Sequence, residues 1–575
     1  MVRKIFGFLY KETNTLNQAA LLLGLFAFLS QVLAFLRDRL LAHIFGASTE
    51  LDIYYAAFRI PDFLFVTVAS VVSLSVLIPF IIEKEAKSLS ALRDFVDNIF
   101  SFFSLLIIFV SGLAFFLIPT VSGILFKGFS DPALAEVIFI SRILLLSPII
   151  LGFSNLFGSL TQAYNRFTIY ALAPLLYNAG IIVGIIFLTA RLGVLGVAIG
   201  VVVGASLHAL VQVPFVLKAG LFPRLRLGFR RRQGFGGQVG GQARFFDWSV
   251  IRQVARVSLP RTLTLSMSSL AMIFLVSLAS LVAAGSISVL SLSFNLQSVP
   301  LSIIGVSYSL AAFPTLSRRF RENNLEAFRQ QMAITARFII FWSLPATALF
   351  IVLRAQIVRV ILGSGLFGWD DTRLVAASLA LFVLSSMFQC LSLLFMRGFY
   401  SAGFTRKPFF INLVSTAVMV VGTWGLIKVF YLSEEFRYFV SALLKVEDLT
   451  NTAVLMLPLG FSIATIINGL IHWVAFERQF RGFSRGVVKT FFDVLGASVI
   501  MGSIAYVGLN IFAPLLDTTS LVGIFLQGFG AGLVAILAGI VILSLLKNRE
   551  LFEIWRVVHG KFWKTKVIAT DPEIV

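Results

Sequence analysis

The chain of 575 residues is 58% hydrophobic and 13% charged, with a formal net charge of +20. That composition excludes a soluble multidomain protein, and apolar runs of about 20 to 30 residues exclude a membrane barrel, whose strands alternate over about ten. The surplus of Lys and Arg does not indicate nucleic acid, because it falls in short loops between apolar runs instead of on one solvated domain.

An all-α polytopic membrane protein with about 14 transmembrane helices is predicted. The spans are expected near 16–45, 51–82, 92–126, 133–163, 168–190, 193–218, 249–283, 286–316, 326–360, 372–401, 408–430, 450–476, 485–513 and 518–546. No small-residue cleavage site follows the first apolar run, so that run is read as a retained span. Loops holding Lys84, Arg93, Arg166, Arg318, Arg406, Lys407, Arg478, Arg481 and Arg485 fall on one face, and loops holding Asp131, Asp370, Asp371, Glu434, Glu435 and Asp517 on the other. The positive-inside rule makes the first face cytoplasmic, with both termini on it.

The first two spans carry charges that apolar helices avoid. Arg37, Asp38 and Arg39 interrupt the first, and Asp52, Arg59 and Asp62 the second. Each costs roughly 2.5 to 3.5 kcal/mol at a helix centre, so each must face water, a partner or a polar ligand. Arg37 and Arg59, with Gln31, are therefore expected to line a hydrated cavity and hold an anionic headgroup, and Asp52 to pair with one of the arginines when the site is empty. Arginine suits the task because its planar fork grips phosphate oxygens and keeps its proton. A purely structural alternative pairs Arg39 with Asp38 or Arg59 with Asp62. Pro61 removes a backbone donor and is read as a hinge.

Further along, residues 221–248 contain RLRLGFRRRQGFGGQVGGQARFFDW, read as a flexible cytoplasmic linker. Asn295 and Gln297, just before a second hinge proline, Pro300, are candidates for another wall of the cavity. Residues 547–575 form a cytoplasmic tail, in which Leu551, Trp555, Val558 and Phe562 recur at helical spacing and predict an amphipathic helix on the membrane surface. Cys390 is the one cysteine, read as a structural thiol, and a disulfide within the chain is impossible.

Two stretches align without a gap: LLSPIILGFSNLFGSLTQAYNRF from Leu145 and VLSSMFQCLSLLFMRGFYSAGFT from Val383. Ser147 meets Ser385, Ser154 meets Ser392 and Phe157 meets Phe395, and weaker echoes keep the offset near about 236 residues. Two six-helix repeats follow, an N-terminal lobe over 1–220 and a C-terminal lobe over 249–476, around a central cavity, with two additional helices over 477–546. GxxxG spacings at Gly180 and Gly184 and at Gly200 and Gly204 signal close helix packing.

No enzyme signature accompanies this plan. The histidines His43, His208, His472 and His559 lack metal-ligand spacing, and no Walker A stretch or nucleophile elbow occurs. No enzyme activity, cofactor or metal is expected.

The motifs VLAFLRDRLLAHIFGAS, RILLLSPIILGFSNLFGSL with ALAPLLYN, VPLSIIGVSYSLAAFPTLSR and RGFYSAGFTRKPFFINLVS resemble the MurJ/MviN family of lipid II flippases, within the multidrug/oligosaccharidyl-lipid/polysaccharide exporter superfamily. The resemblance implies a bacterial inner-membrane location and outward transfer of an undecaprenyl-diphosphate-linked peptidoglycan precursor by alternating access. It also implies that Arg37 matches a functional arginine and Asp52 an acidic position of the family. Gln31, Phe65 and Asn295 stand where relatives carry cavity arginines, and Arg59, Arg142, Arg261 and Arg397 are the available replacements. The implied partners are the polyprenyl-diphosphate-linked glycan and membrane lipids, with the protein acting as a monomer. Two rival readings are an exporter of another polyprenyl-linked glycan or amphipathic compound, and a non-transporting scaffold that recruits cell-wall synthesis proteins through its tail.

Overall fold

The computed structural model describes residues 16–68, 74–225 and 247–562. Most of the 221–248 linker and the end of the tail, 563–575, lie outside the described residues, as does the side chain of Arg261. Every regular element among the described residues is helical.

Among the described residues, ten helices are long and apolar enough to cross a membrane, and an eleventh span results when Trp369–Val383 and Ser386–Ser401, bent by 43°, are taken together. The three expected spans outside that count, near 16–45, 51–82 and 249–283, each include residues or side chains outside those described. Thr49–Val68 also carries Asp52, Arg59 and Asp62, and fourteen stands as an approximate number.

The chain divides into two compact units. The first comprises the residues up to Leu292 with Ile361–Leu374 and Asn412–Gly460. Its core gathers Phe95, Phe103, Leu156, Phe157, Leu160 and Phe215. Helices Phe167–Leu192 and Val194–Leu210 meet at the paired glycines, where a Cβ on Gly180 would stand 2.3 Å from the Cα of Gly204 and one on Gly184 2.4 Å from the Cα of Gly200. Backbones approach so closely only where neither residue has a side chain, as the GxxxG spacing predicts.

The second unit comprises Ser293–Val360, Val375–Ile411 and Phe461 onward. Its core is aromatic, with Phe328, Phe395, Phe399, Phe476 and Phe483 packed together. After Pro300, which cannot donate to the preceding turn, the backbone widens into a π-helical turn, Leu301–Val306, before resuming as Ser307–Arg321. Ser385 sits at the 43° bend, where the Oγ atoms of Ser385 and Ser462 donate to carbonyls the bend releases: Ser385 to Phe382, Ser462 to Leu381. The tail helix Arg549–Phe562 is fastened to this unit by the buried carboxylate of Glu550, which pairs with Arg337 at 2.7 Å.

Candidate functional site

Arg37 lies two turns before the end of Leu16–Phe45. Its Nε and Nη2 donate to Asp38 Oδ1 at 3.0 and 2.8 Å, and its Nη1 to Asn178 Oδ1 at 3.1 Å. Asn178 is fixed in turn by donating to Ser30 Oγ and to the carbonyl of Pro174. Asp38, itself buried, thus takes the half-buried Arg37 as a partner, and the pair is held by a third residue from Phe167–Leu192. Gln31 is half-buried on the same helix as Arg37, two turns earlier.

Asp52 corrects the expectation made for it. It pairs with neither arginine. One carboxylate oxygen accepts from the backbone N–H of Gly285 at 2.7 Å, and the other from Ser288 N–H at 2.7 Å and Ser288 Oγ at 2.6 Å. The physical reason is the start of helix Ser286–Pro300, whose unpaired N–H groups and positive dipole end satisfy a buried carboxylate as an arginine would. Gly285 makes the approach feasible: its φ is +84°, and a Cβ there would come 2.3 Å from the carbonyl oxygen of Ala47.

Arg59 is the least satisfied cation of the group. Its Nη2 donates to Ser291 Oγ at 2.9 Å, but its Nε is buried without a hydrogen-bond partner. No carboxylate pairs with it among the described residues; Asp62, three residues on, attracts it through space. One turn earlier on the same helix, the buried hydroxyl of Tyr55 also lacks a partner. Two orphan donors on one face of Thr49–Val68 are what an acceptor-rich ligand such as a phosphate would satisfy, since buried polar groups are otherwise paired. Pro61 lies inside this helix, two residues beyond Arg59.

The remaining candidates belong to the second unit. Gln297 is fully buried; its Oε1 accepts from Gln389 Nε2 at 3.2 Å while its own Nε2 is unpartnered. Arg397 donates from Nε to Ser309 Oγ at 3.1 Å and lies over the ring of Phe313 at 5.9 Å. Asn295 is half-buried, and its carbonyl accepts from Ser298 Oγ. Pro300 introduces the π turn. Arg142 is held elsewhere, by the carbonyl and ring of Phe115.

Tyr55, Asn178, Ser288 and Ser291 also take part in this arrangement. Tyr55 carried a usable signal, being four residues before Arg59 and therefore on its face. Two of the histidines hold polar contacts elsewhere: His208 Nδ1 meets Ser154 Oγ at 2.6 Å, and His472 Nδ1 the carbonyl of Asn468 at 3.0 Å. No group of three or more metal-ligating side chains occurs among the described residues.

The fold and these polar groups define a multi-pass helical protein with a transporter architecture. A solved lipid II flippase MurJ in an inward closed conformation superimposes with a TM-score of 0.68 at 20% identity, covering 95% of this chain and all of the other. An inward-facing multidrug resistance MATE transporter of the MOP superfamily gives 0.60 at 16% identity, over 79% of this chain and 96% of that one. The profile of the family described as lipid II flippase MurJ matches residues 41–527, and the chain belongs to that family. Among relatives, a probable lipid II flippase MurJ of Thermotoga maritima is 27% identical over 68% of this chain and 76% of its own. One of Buchnera aphidicola is 22% identical over 72% and 78%. The family is one of transporters and not of enzymes, and its members are multi-pass proteins of the bacterial inner membrane.

Proposed function

We propose that this protein moves lipid II, an undecaprenyl-diphosphate-linked peptidoglycan precursor, outward across the bacterial inner membrane by alternating access. One observation carries the reading: the half-buried Arg59 has a buried Nε without a partner, one helical turn from the unpartnered Tyr55 hydroxyl. A diphosphate supplies both the charge and the acceptors that these donors lack. Arg37 contributes once a ligand oxygen competes with Asp38, and Gln31 on the same helix contacts the rest of the headgroup.

Asp52 acts as a latch. Its three hydrogen bonds hold Thr49–Val68 to the start of Ser286–Pro300, and giving them up frees that helix to tilt. Pro61 and the π turn after Pro300 are the bending points, since both interrupt the regular backbone ladder. Two six-helix lobes over 1–220 and 249–476, with 477–546 added, rest on the sequence repeat in which Ser147 meets Ser385 and Ser154 meets Ser392. The protein works as a monomer with both termini in the cytoplasm.

The test is complementation in cells depleted of their own lipid II flippase. The unaltered chain should restore precursor export and growth, and Arg59→Ala should abolish the rescue while the protein still reaches the membrane. Full rescue by Arg37→Ala, Arg59→Ala would overturn the ligand roles given to both residues.

A further inference from the structure

A second cationic centre lies in the second unit, away from the groups used above. Helix Met456–Gln479 ends in the turn Phe480–Gly486, and Arg329, Arg478, Arg481 and Arg485 surround an open cavity of about 530 Å³ there, with Glu477 and Gly482 completing the lining. The turn is built by Glu477, whose carboxylate accepts from Gly482 N–H at 2.7 Å and from Ser484 N–H and Oγ, both at 2.8 Å. Gly482 permits this with a φ of +95°. Arg329 braces the turn from the side by donating to the carbonyl of Arg481, and its other terminal nitrogen pairs with Glu326.

The one acidic group lining the cavity is therefore committed to folding the turn. The side chains of Arg478, Arg481 and Arg485 are exposed and hold no ion pair or hydrogen bond among the described residues. Three exposed guanidinium groups, with Arg329 already paired to Glu326 and the one carboxylate of the lining occupied, make an anion site, and like charges gathered by a folded turn are costly unless an anion shares them. Its height selects the anion. The cavity opens at the end of Thr452–Gln479, a membrane-length helix, and the indole Nε1 of Trp473 donates to Ser484 Oγ of the turn at 2.9 Å. Tryptophan and arginine at a span's end mark the level of lipid headgroups.

We propose that this cavity binds the phosphate of an acidic membrane phospholipid. The chemistry it recognises is a phosphate ester, and the bilayer presents one at that depth continuously. This site is independent of the role given to Arg59.

The experiment uses the full-length protein in neutral detergent micelles, titrated with a fluorescent phosphatidylglycerol and with the matching phosphatidylcholine. Phosphatidylglycerol should bind the unaltered protein more tightly, and R478Q/R481Q/R485Q should weaken it roughly 100-fold, from three lost surface charges. Arg481→Gln alone, an exposed side chain with no part in the turn, should weaken it about fivefold and guards against misfolding of the triple variant. Arg373→Gln, which removes a cation from the first unit, should leave it unchanged. Unaltered phosphatidylglycerol affinity in Arg481→Gln and in a folded triple variant would overturn the site. Inorganic pyrophosphate displacing the lipid at equal concentration would overturn the lipid assignment and mark a site for free anions.

Discussion

Arg59 and Asp52 lie seven residues apart on one helix, and they stand at opposite extremes of satisfaction. Asp52 has three donors at 2.6 to 2.7 Å, two of them from a helix start. Hydrogen bonds to a charged group contribute about 1.5 to 3 kcal/mol each, and removing the acceptor strands buried donors. Asp52→Ala should therefore lower stability by about 3 kcal/mol or more, measured as a drop in the thermal unfolding midpoint of the purified protein. Arg59→Gln should do much less harm to folding, because one hydrogen bond to Ser291 is all it gives up, yet it should lose the rescue described above. Both residues stood out in the sequence because a charge inside an apolar run is expensive. Their partners did not. Asn178 is 141 residues from Arg37 and Ser288 is 236 from Asp52, and a hydrogen bond between distant spans leaves no local signature.

Among the helices, the glycine seam between Phe167–Leu192 and Val194–Leu210 was readable from spacing, since four-residue intervals put both glycines of each pair on one face. Gly184→Leu should push the two backbones apart at a cost of roughly 1 to 3 kcal/mol or more, seen as reduced yield and a lower unfolding midpoint. The π turn after Pro300 and the bend at Ser385 were legible only as a proline and as nothing at all, respectively. The bend depends on Ser462, from another helix, to occupy the carbonyls it frees.

Loops between elements add a pH-sensitive tie. Arg373 donates to Asp448 at 2.5 and 2.6 Å and to the carbonyl of Lys445, and the guanidinium holds the Asp448 carboxyl below the usual carboxylate range. A depressed folded-state pKa adds stability above the group's ordinary value of about 4, and that stability is lost as pH falls through the folded value. The unfolding midpoints of the unaltered protein and of Asp448→Asn should differ near neutral pH and converge as the pH falls through the lowered folded-state value.

At the scale of the whole molecule, orientation in the bilayer is the property that charge in the loops predicts. In a Cys390→Ala background, single substitutions Glu434→Cys and Asp517→Cys should react with a membrane-impermeant maleimide on intact spheroplasts. Arg321→Cys and Lys407→Cys should react only after permeabilisation. The reverse pattern would invert the protein and remove the cytoplasmic placement of the termini.

By itself the sequence determined the class, the approximate number of spans and the charges that apolar helices could not leave idle, because the membrane penalty acts on each residue whatever its neighbours. Tertiary structure alone decided how each charge is answered. Asp38 takes Arg37, a helix start takes Asp52, and Arg59 keeps an unpaired nitrogen. Those outcomes depend on which distant donors packing brings within 3 Å, a quantity that exists only once the helices have met.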